Sequence, residues 1–546
     1  MRFSTCLFIL FLLTHQLSAQ INDSIFLFEG DNFQAQVFSN GQLFGKGNEP
    51  LFKLNGSDSS MAQSAGLWIA GVHPAQYFQG AIHYDQFENS TDFQSGSIEG
   101  FGIDYAWKIT KDEIMTHLND YFDNGTIDDP IASIYAWPAR ENPYFEEYNG
   151  FALPENSGGW ADFFDRNGNE IYEPHLGEYP DLPLRGCVEQ IPDQMLWLIF
   201  NDQGPHELSN LEPIPIEVYM TLFSYDCSLD QALSNTLFVD YKLINKAVES
   251  IDSTFVGLYL NPSIGSPVDD YLGTIPDENL VYAYDANQND DPLPVLSTAL
   301  IQGPLDQFGE SVPLKKVMPI FLENDMNDNP LPPQEENDFY KRLTGSWNDG
   351  SPLTNGGNGF GNNGALVDFA FPDYPWEEDG WSEQTAGNIL GNRAVLSSYG
   401  PFRMDSGVVN NLLFSIGIYD DENAANVNDQ IQFMESKASL FTPYLFECDV
   451  PDVFDLVECE TTTTSNTEIE EPPIFLYPNP NEGILYWRSE RFYPIRFQLF
   501  SIVGEFIASN QVTNQQLNLS YLKEGVYLIL LEAANGDSII ERIVIQ

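Results

Sequence analysis

The chain has 546 residues, too many for one ordinary core, and carries 22 Lys+Arg against 81 Asp+Glu. Nucleic acid is therefore ruled out as a partner, because its phosphates need a basic surface, and an anionic membrane surface would repel the chain. Hydrophobic residues at 42% and aromatics at 14% argue against disorder over most of the length, and the lead of Phe and Tyr with abundant Gly and Pro leans towards β-structure.

Taken in chain order, the N-terminus reads as a signal peptide. Arg2 supplies the positive start, Leu7 to Leu13 a short apolar stretch, and Leu17-Ser18-Ala19 the small residues of a cleavage site, expected after Ala19. The apolar run is too short to span a bilayer, and no later stretch predicts a transmembrane helix in the mature chain. Gln20 rather than Cys follows the cleavage point, so a lipoprotein anchor is not expected. Removing residues 1–19 takes away one basic residue and leaves 21 against 81 acids. Such a charge suits free solvent or bound cations, and solubility alone accounts for it equally well. Cys187, Cys227, Cys448 and Cys459 remain, an even number that predicts disulfides in an exported chain. Neighbouring pairs, Cys187–Cys227 and Cys448–Cys459, are the simplest of three pairings. No CxxC supports zinc.

Residues 20–448 predict a large antiparallel β-sandwich with long loops, built as one or two domains. Period-two patterns mark strands at Ile216–Leu222, Leu237–Leu243, Thr254–Leu260 and Asn411–Tyr419. Asn428–Leu440 predicts a helix with Ile431, Met434 and Ala438 on one face, and Lys111–Tyr121 a weaker one. Asn355–Gly364 contains a formal GxGxxG but has no strand–turn–helix context and no nearby base, so it reads as a flexible surface loop.

The pattern D-x-N-x-N occurs three times, beginning at Asp165, Asp285 and Asp325. Oxygen-bearing side chains on alternate residues are how a tight loop wraps a hard cation. In the first copy Asp165, Asn167 and Asn169 would offer side-chain oxygens, Ile171 a backbone carbonyl and Glu173 a further carboxylate to Ca2+. Gly168 would allow the bend, although it stands two positions earlier than the glycine of an EF-hand loop. The same residues also form Asn/Asp turns that bond their own backbone.

Residues 449–473 are acidic, Thr-rich and end in Pro472-Pro473, which reads as a linker. Residues 474–546 then predict a small Ig-like antiparallel sandwich of about seven short strands. Here Tyr477-Pro478-Asn479-Pro480 with Gly483 resembles the opening of the type IX (Por) secretion sorting domains of Bacteroidota. Ile502-Val503-Gly504 resembles that family's central turn. Leu522 with Gly525-Val526-Tyr527 resembles its L-x-x-G-x-Y strand. Gly536 and the closing Glu541-Arg542-Ile543 resemble its final hairpin, with Arg542 where the family usually has Lys. The resemblance implies the type IX machinery as a partner, export across the outer membrane, removal of the module, and then either release of the protein or its attachment to surface lipopolysaccharide. Ala65–Gly71, Asp193–Trp197, Asp269–Gly273, Asp379–Trp381 and Tyr399–Phe402 are in turn similar to a recurrent type of secreted Bacteroidota protein. That likeness covers much of residues 60–445 and brings no catalytic residue with it.

Enzyme signatures are missing. No HExxH or GxSxG occurs, and His206-Glu207 lacks a second His. A glycosidase needs two facing carboxylates, and 81 acids nominate no particular pair. Trp68, Trp107, Trp137, Trp160, Trp197, Trp347, Trp376 and Trp381 can stack on sugar rings, but such residues more often fill cores. The favoured reading is an exported or surface-attached non-catalytic protein for binding, adhesion or envelope structure, stiffened by calcium. The alternative is a secreted hydrolase acting on polysaccharide; carbohydrate is a candidate partner in either case.

Overall fold

In the computed structural model the described residues are 24–45, 50–86, 90–100, 103–154, 156–185, 191–226, 231–287, 292–322 and 330–446, followed by strands and short connections between 475 and 545. The signal segment, all four cysteines of the expected disulfides, the linker 449–473 and the D-x-N-x-N copy at Asp325 lie outside them. The fold is mainly β, and its residues fall into two units. One comprises 1–116, 130–162 and 180–459; the other comprises 117–129, 163–179 and 460–546.

The first unit is built on two antiparallel sheets. Five strands run in the order Leu314–Phe321, Arg393–Met404, Ile251–Pro262, Ala62–Val72, Phe78–Ile82. The larger sheet runs Asp270–Ile275, Leu280–Asp285, Val295–Gln302, Val409–Tyr419, Thr236–Asn245, Ile216–Ser224, Gln194–Asn201, with Gln94–Ser95 and Ala106–Thr110 both pairing with the last of these. The sheets share one apolar core, to which the larger contributes Leu198, Met220, Val239 and Phe414 and the smaller Leu67, Val256 and Leu258. Facing inner surfaces of two sheets make a sandwich.

The four strand patterns read from the sequence fall within observed strands, but period two does not separate core from solvent. Along Ile216–Ser224 every residue is buried. In Thr236–Asn245 one side (Leu237, Val239, Tyr241, Leu243) enters the shared core, whereas Phe238 and Asp240 on the other side are buried beneath a second layer. The helix Val427–Phe446 supplies part of that layer, packing Ile431 and Met434 beside Val295–Gln302 and Val409–Tyr419. On the far face of the five-stranded sheet, Trp68, Tyr259 and Leu396 pack with Phe339 and Leu343 of helix Glu336–Leu343.

The glycine-rich stretch 355–364 is a loop, as expected, but one fixed to the core rather than free. Trp347 Nε1 donates to the Gly359 carbonyl at 3.1 Å and Trp381 Nε1 to the Gly357 carbonyl at 2.9 Å. Gly359 has φ +86°, and a Cβ there would lie 2.6 Å from Leu353 Cδ1, so both conformation and space demand glycine.

In the C-terminal part, Phe475–Tyr477, Ile484–Arg488 and Gln516–Asn518 form one sheet and Phe506–Gln511, Pro494–Ser501, Gly525–Ala533 and Ser538–Ile545 another. Leu485, Trp487, Leu499, Leu517, Ile529, Leu531 and Ile543 make a core of their own between them.

Candidate functional site

The loop chosen for calcium is held as a chain of Asx turns. Asp165 Oδ1 accepts from the Gly168 N–H at 2.7 Å and the Asn169 N–H at 3.3 Å, and Oδ2 accepts from the Glu170 N–H at 2.7 Å. Asn167 Oδ1 accepts from Asn169 N–H at 3.0 Å, and Asn169 Oδ1 from Ile171 N–H at 2.8 Å. Both carboxamides donate to Glu173 Oε2, at 2.9 and 2.8 Å, and these bonds hold the Glu173 carboxyl below its ordinary range. Gly168 adopts φ +73°, the bend its position requires. Beneath lies Glu178, fully buried, whose Oε2 accepts from Glu173 N–H at 2.6 Å and Oε1 from Arg166 N–H at 3.2 Å. Burial raises its pKa against the pull of those bonds. The Arg166 guanidinium sits 4.7 Å over the Tyr121 ring, and His117 Nε2 bonds the Glu178 carbonyl at 3.0 Å. The five residues chosen from the sequence are thus brought together, with side-chain oxygens of Asp165, Asn167, Asn169 and Glu173 engaged by the loop's own donors. Among the described residues no three His, Cys, Asp or Glu side chains form a ready metal cage.

At the second D-x-N-x-N copy, Asp285 Oδ1 accepts from Asn287 N–H at 2.8 Å, and the Asn287 carboxamide bonds Asp269. Asp285 stands directly across the strand pair from Asp270, which is buried and accepts from Ile264 N–H at 3.0 Å. Burial, then the charges of Asp269 and Asp285, push the Asp270 carboxyl well above its ordinary value.

The tryptophans do not line an open wall. Trp68, Trp107, Trp137, Trp160, Trp197, Trp347 and Trp381 are all buried, and only Trp376, stacked on Tyr374 at 4.5 Å, is half-exposed. Trp107, Trp197, Thr221 and Asp240 form one cross-strand row, and the Trp160 ring lies 6.3 Å from that of Trp197. Asp240 is buried there with Oδ1 unpaired; burial, reinforced by the Asp162 charge, lifts its carboxyl to about 7 against the opposing pull of Lys242 and Arg185. Asp162 itself binds Lys242 Nζ at 2.9 and 3.1 Å. Other interior acids serve the fold. Asp202 receives the Ile214 and Ile216 N–H groups, each at 2.6 Å, and Glu383 pairs with Arg393.

One feature gave no sequence signal. A cleft of about 530 Å³ is lined by Gln76, Tyr77, Phe78, Glu212, Glu336 and Asn337. Three separate segments build it: the turn leading into the edge strand Phe78–Ile82, the connection at Glu212, and the first turn of helix Glu336–Leu343. Residues so far apart in sequence make no motif. Tyr77 is 42% exposed, and its ring lies 4.3 Å from that of His73.

Comparison with known proteins identifies the C-terminal part. Residues 475–546 match the family described as secretion system C-terminal sorting domain. The protein is therefore exported by the type IX system and is secreted or attached to the cell surface in Bacteroidota. Of the sorting-motif residues, Tyr477 ends the first strand of this part, Gly525 and Tyr527 lie on Gly525–Ala533, and Arg542 lies on Ser538–Ile545; Pro478, Asn479, Pro480, Gly483 and Gly504 fall outside the described residues. No curated protein matches the chain. Among solved structures, a polysaccharide lyase aligns over 71% of this chain and 40% of its own, at 8% identity and a TM-score of 0.20. The chain thus spans well under half of that protein, and a likeness at this level carries no argument about fold or activity.

Proposed function

We propose that this exported protein is a non-catalytic binding protein, in which a filled β-sandwich displays loops and an edge cleft. The observation that carries the reading is the placement of its aromatic and acidic side chains. Seven tryptophans are packed away and the interior acids are tied to backbone amides, to Arg393 or beneath the second layer. A polysaccharide hydrolase needs two carboxylates facing a sugar across an accessible site; Asp202 and Asp240, acids whose raised pKa would suit a proton donor, are both buried. Calcium at the Asp165 loop would stiffen this scaffold, with Asn167 and Asn169 turning their oxygens from backbone donors to the ion.

The test is to expose the full exported chain to a panel of insoluble and soluble polysaccharides and measure depletion from solution and release of reducing ends. Retention without new reducing ends is expected. Release of reducing ends would overturn the reading and favour the hydrolase.

A further inference from the structure

The geometry points to the Tyr77 cleft as a binding site for a neutral glycan; this rests on the binding reading above and gives it a place and a ligand class. Its volume of about 530 Å³ is within the range of small-molecule sites, roughly 300–1,000 Å³. The lining combines one exposed aromatic face, two carboxylates and two carboxamides, with no Lys or Arg. A pyranose ring offers an apolar C–H face and a rim of hydroxyls. Tyr77 matches the first, and Glu212, Glu336, Gln76 and Asn337 match the second, the carboxylates accepting and the carboxamides both accepting and donating. Phosphate, sulfate and uronate groups have no cation to meet here, and Glu212 and Glu336 would repel them.

Tyr77 is held for this purpose before any ligand arrives. His73 lies parallel to it at 21°. His73 Nδ1 accepts from Ala75 N–H at 3.0 Å, leaving Nε2 to reach Glu249 at 2.7 Å. His73 N–H also donates to the Tyr77 carbonyl at 2.9 Å, and Gln76 N–H to the His73 carbonyl at 2.8 Å, with Gln76 at φ +69°. Next to it Phe78 stacks at 4.4 Å on Tyr340 of the helix that carries Glu336 and Asn337. Glu212 is fixed by its carbonyl, which accepts from Gly80 N–H at 3.0 Å, and by Gln79, whose side chain bonds the Pro213 carbonyl at 2.7 Å. An aromatic ring left in water but already stacked on His73 and held by its backbone carbonyl loses little freedom when a sugar covers it.

The experiment titrates the full chain calorimetrically with neutral gluco- and xylo-oligosaccharides, a cationic glucosamine oligomer and an anionic oligogalacturonate. At least one neutral oligosaccharide should bind. Tyr77→Ala should weaken it about tenfold, Tyr77→Trp should retain it, and Glu336→Gln should weaken it with an unchanged melting temperature. The oligogalacturonate should not bind. Binding confined to the glucosamine oligomer and lost in Glu336→Gln would overturn the proposal in favour of a cation site. Absence of neutral binding would also overturn it. Neutral binding indifferent to Tyr77→Ala and Glu336→Gln would overturn the cleft while leaving the binding reading in place. Release of reducing ends, by contrast, would remove the binding reading itself.

Discussion

Asp165 and Asp240 are both aspartates with strong local consequences, but only one was legible. Alternate oxygen-bearing residues from Asp165 to Asn169 announce a tight loop from spacing alone, because Asx side chains reach backbone amides two to four residues on. The spacing does not say whether a cation or the backbone takes the oxygens; the observed bonds are to the backbone. Asp165→Ala should therefore cost roughly 1 kcal/mol even in the absence of an ion. The calcium proposal adds a second expectation: calcium raises the melting temperature of the wild-type chain, chelator reverses it, and Asp165→Ala loses the increment. A wild-type melt indifferent to chelator would remove calcium from this protein's stability. Asp240 has no such local signature, since what distinguishes it from 80 other acids is its burial on the large sheet beside charges brought from elsewhere in the chain, Asp162 and Arg185. Its folded pKa of about 7 exceeds the unfolded value of about 3.9, so the folded state holds the extra proton between them. Stability from this group is full below about pH 4 and is lost as pH rises through 7, by at most about 4 kcal/mol. Asp240→Asn should flatten that slope in denaturant titrations at pH 5 and pH 8. Equal slopes in the two proteins would show that Asp240 ionises freely.

Among the elements, those whose periodicity marks one face were legible and those fixed by distant partners were not. Val427–Phe446 could be read because Ile431, Met434 and Ala438 recur at helical spacing, and all three are buried. Truncating Met434 to Ala should cost about 2–4 kcal/mol in equilibrium unfolding. The strands were found by alternation, yet alternation could not reveal that both faces of the large sheet are covered, because the second layer comes from segments remote in sequence, among them the helix Val427–Phe446. The glycine loop was misjudged as free for the same reason: its anchors, Trp347 and Trp381, lie outside it. The short helix Glu383–Ala386 depends on a partner too. Glu383 accepts from the Leu272 N–H at 2.9 Å and pairs with Arg393, both side chains being buried. Burial raises the Glu383 pKa and the Arg393 charge opposes it. Removing one partner leaves a buried charge unpaired, so Glu383→Gln should destabilise by about 3–5 kcal/mol. Adding Arg393→Met should restore part of that loss; a double variant no more stable than the single would mean the pair contributes nothing through its charges.

At the scale of the whole molecule, the sequence reads most plainly at its end. The sorting module was recognisable because its turns and its closing hairpin follow one another in fixed order over residues 475–546. The central unit offers no comparable string, since its cleft and buried acids are assembled from separated segments. Among the described residues the C-terminal strands have an apolar cluster of their own, whose members run from Leu485 to Ile545. Deleting residues 475–546 should therefore leave the central sheets folded and remove only the export address, so that the truncated chain accumulates in the periplasm. Fractionation followed by immunoblotting for the central region reads the outcome. A sharper variant keeps every motif residue and changes Ile529 to Asp. A buried charge between the two small sheets costs several kcal/mol in a core this small. If the machinery reads a folded sandwich, Ile529→Asp should be retained as the deletion is. If the variant reaches the surface while the deletion does not, the address is read from the linear motifs, and the fold of the module is irrelevant to sorting. Surface display of the deleted chain itself would show that the export signal lies elsewhere.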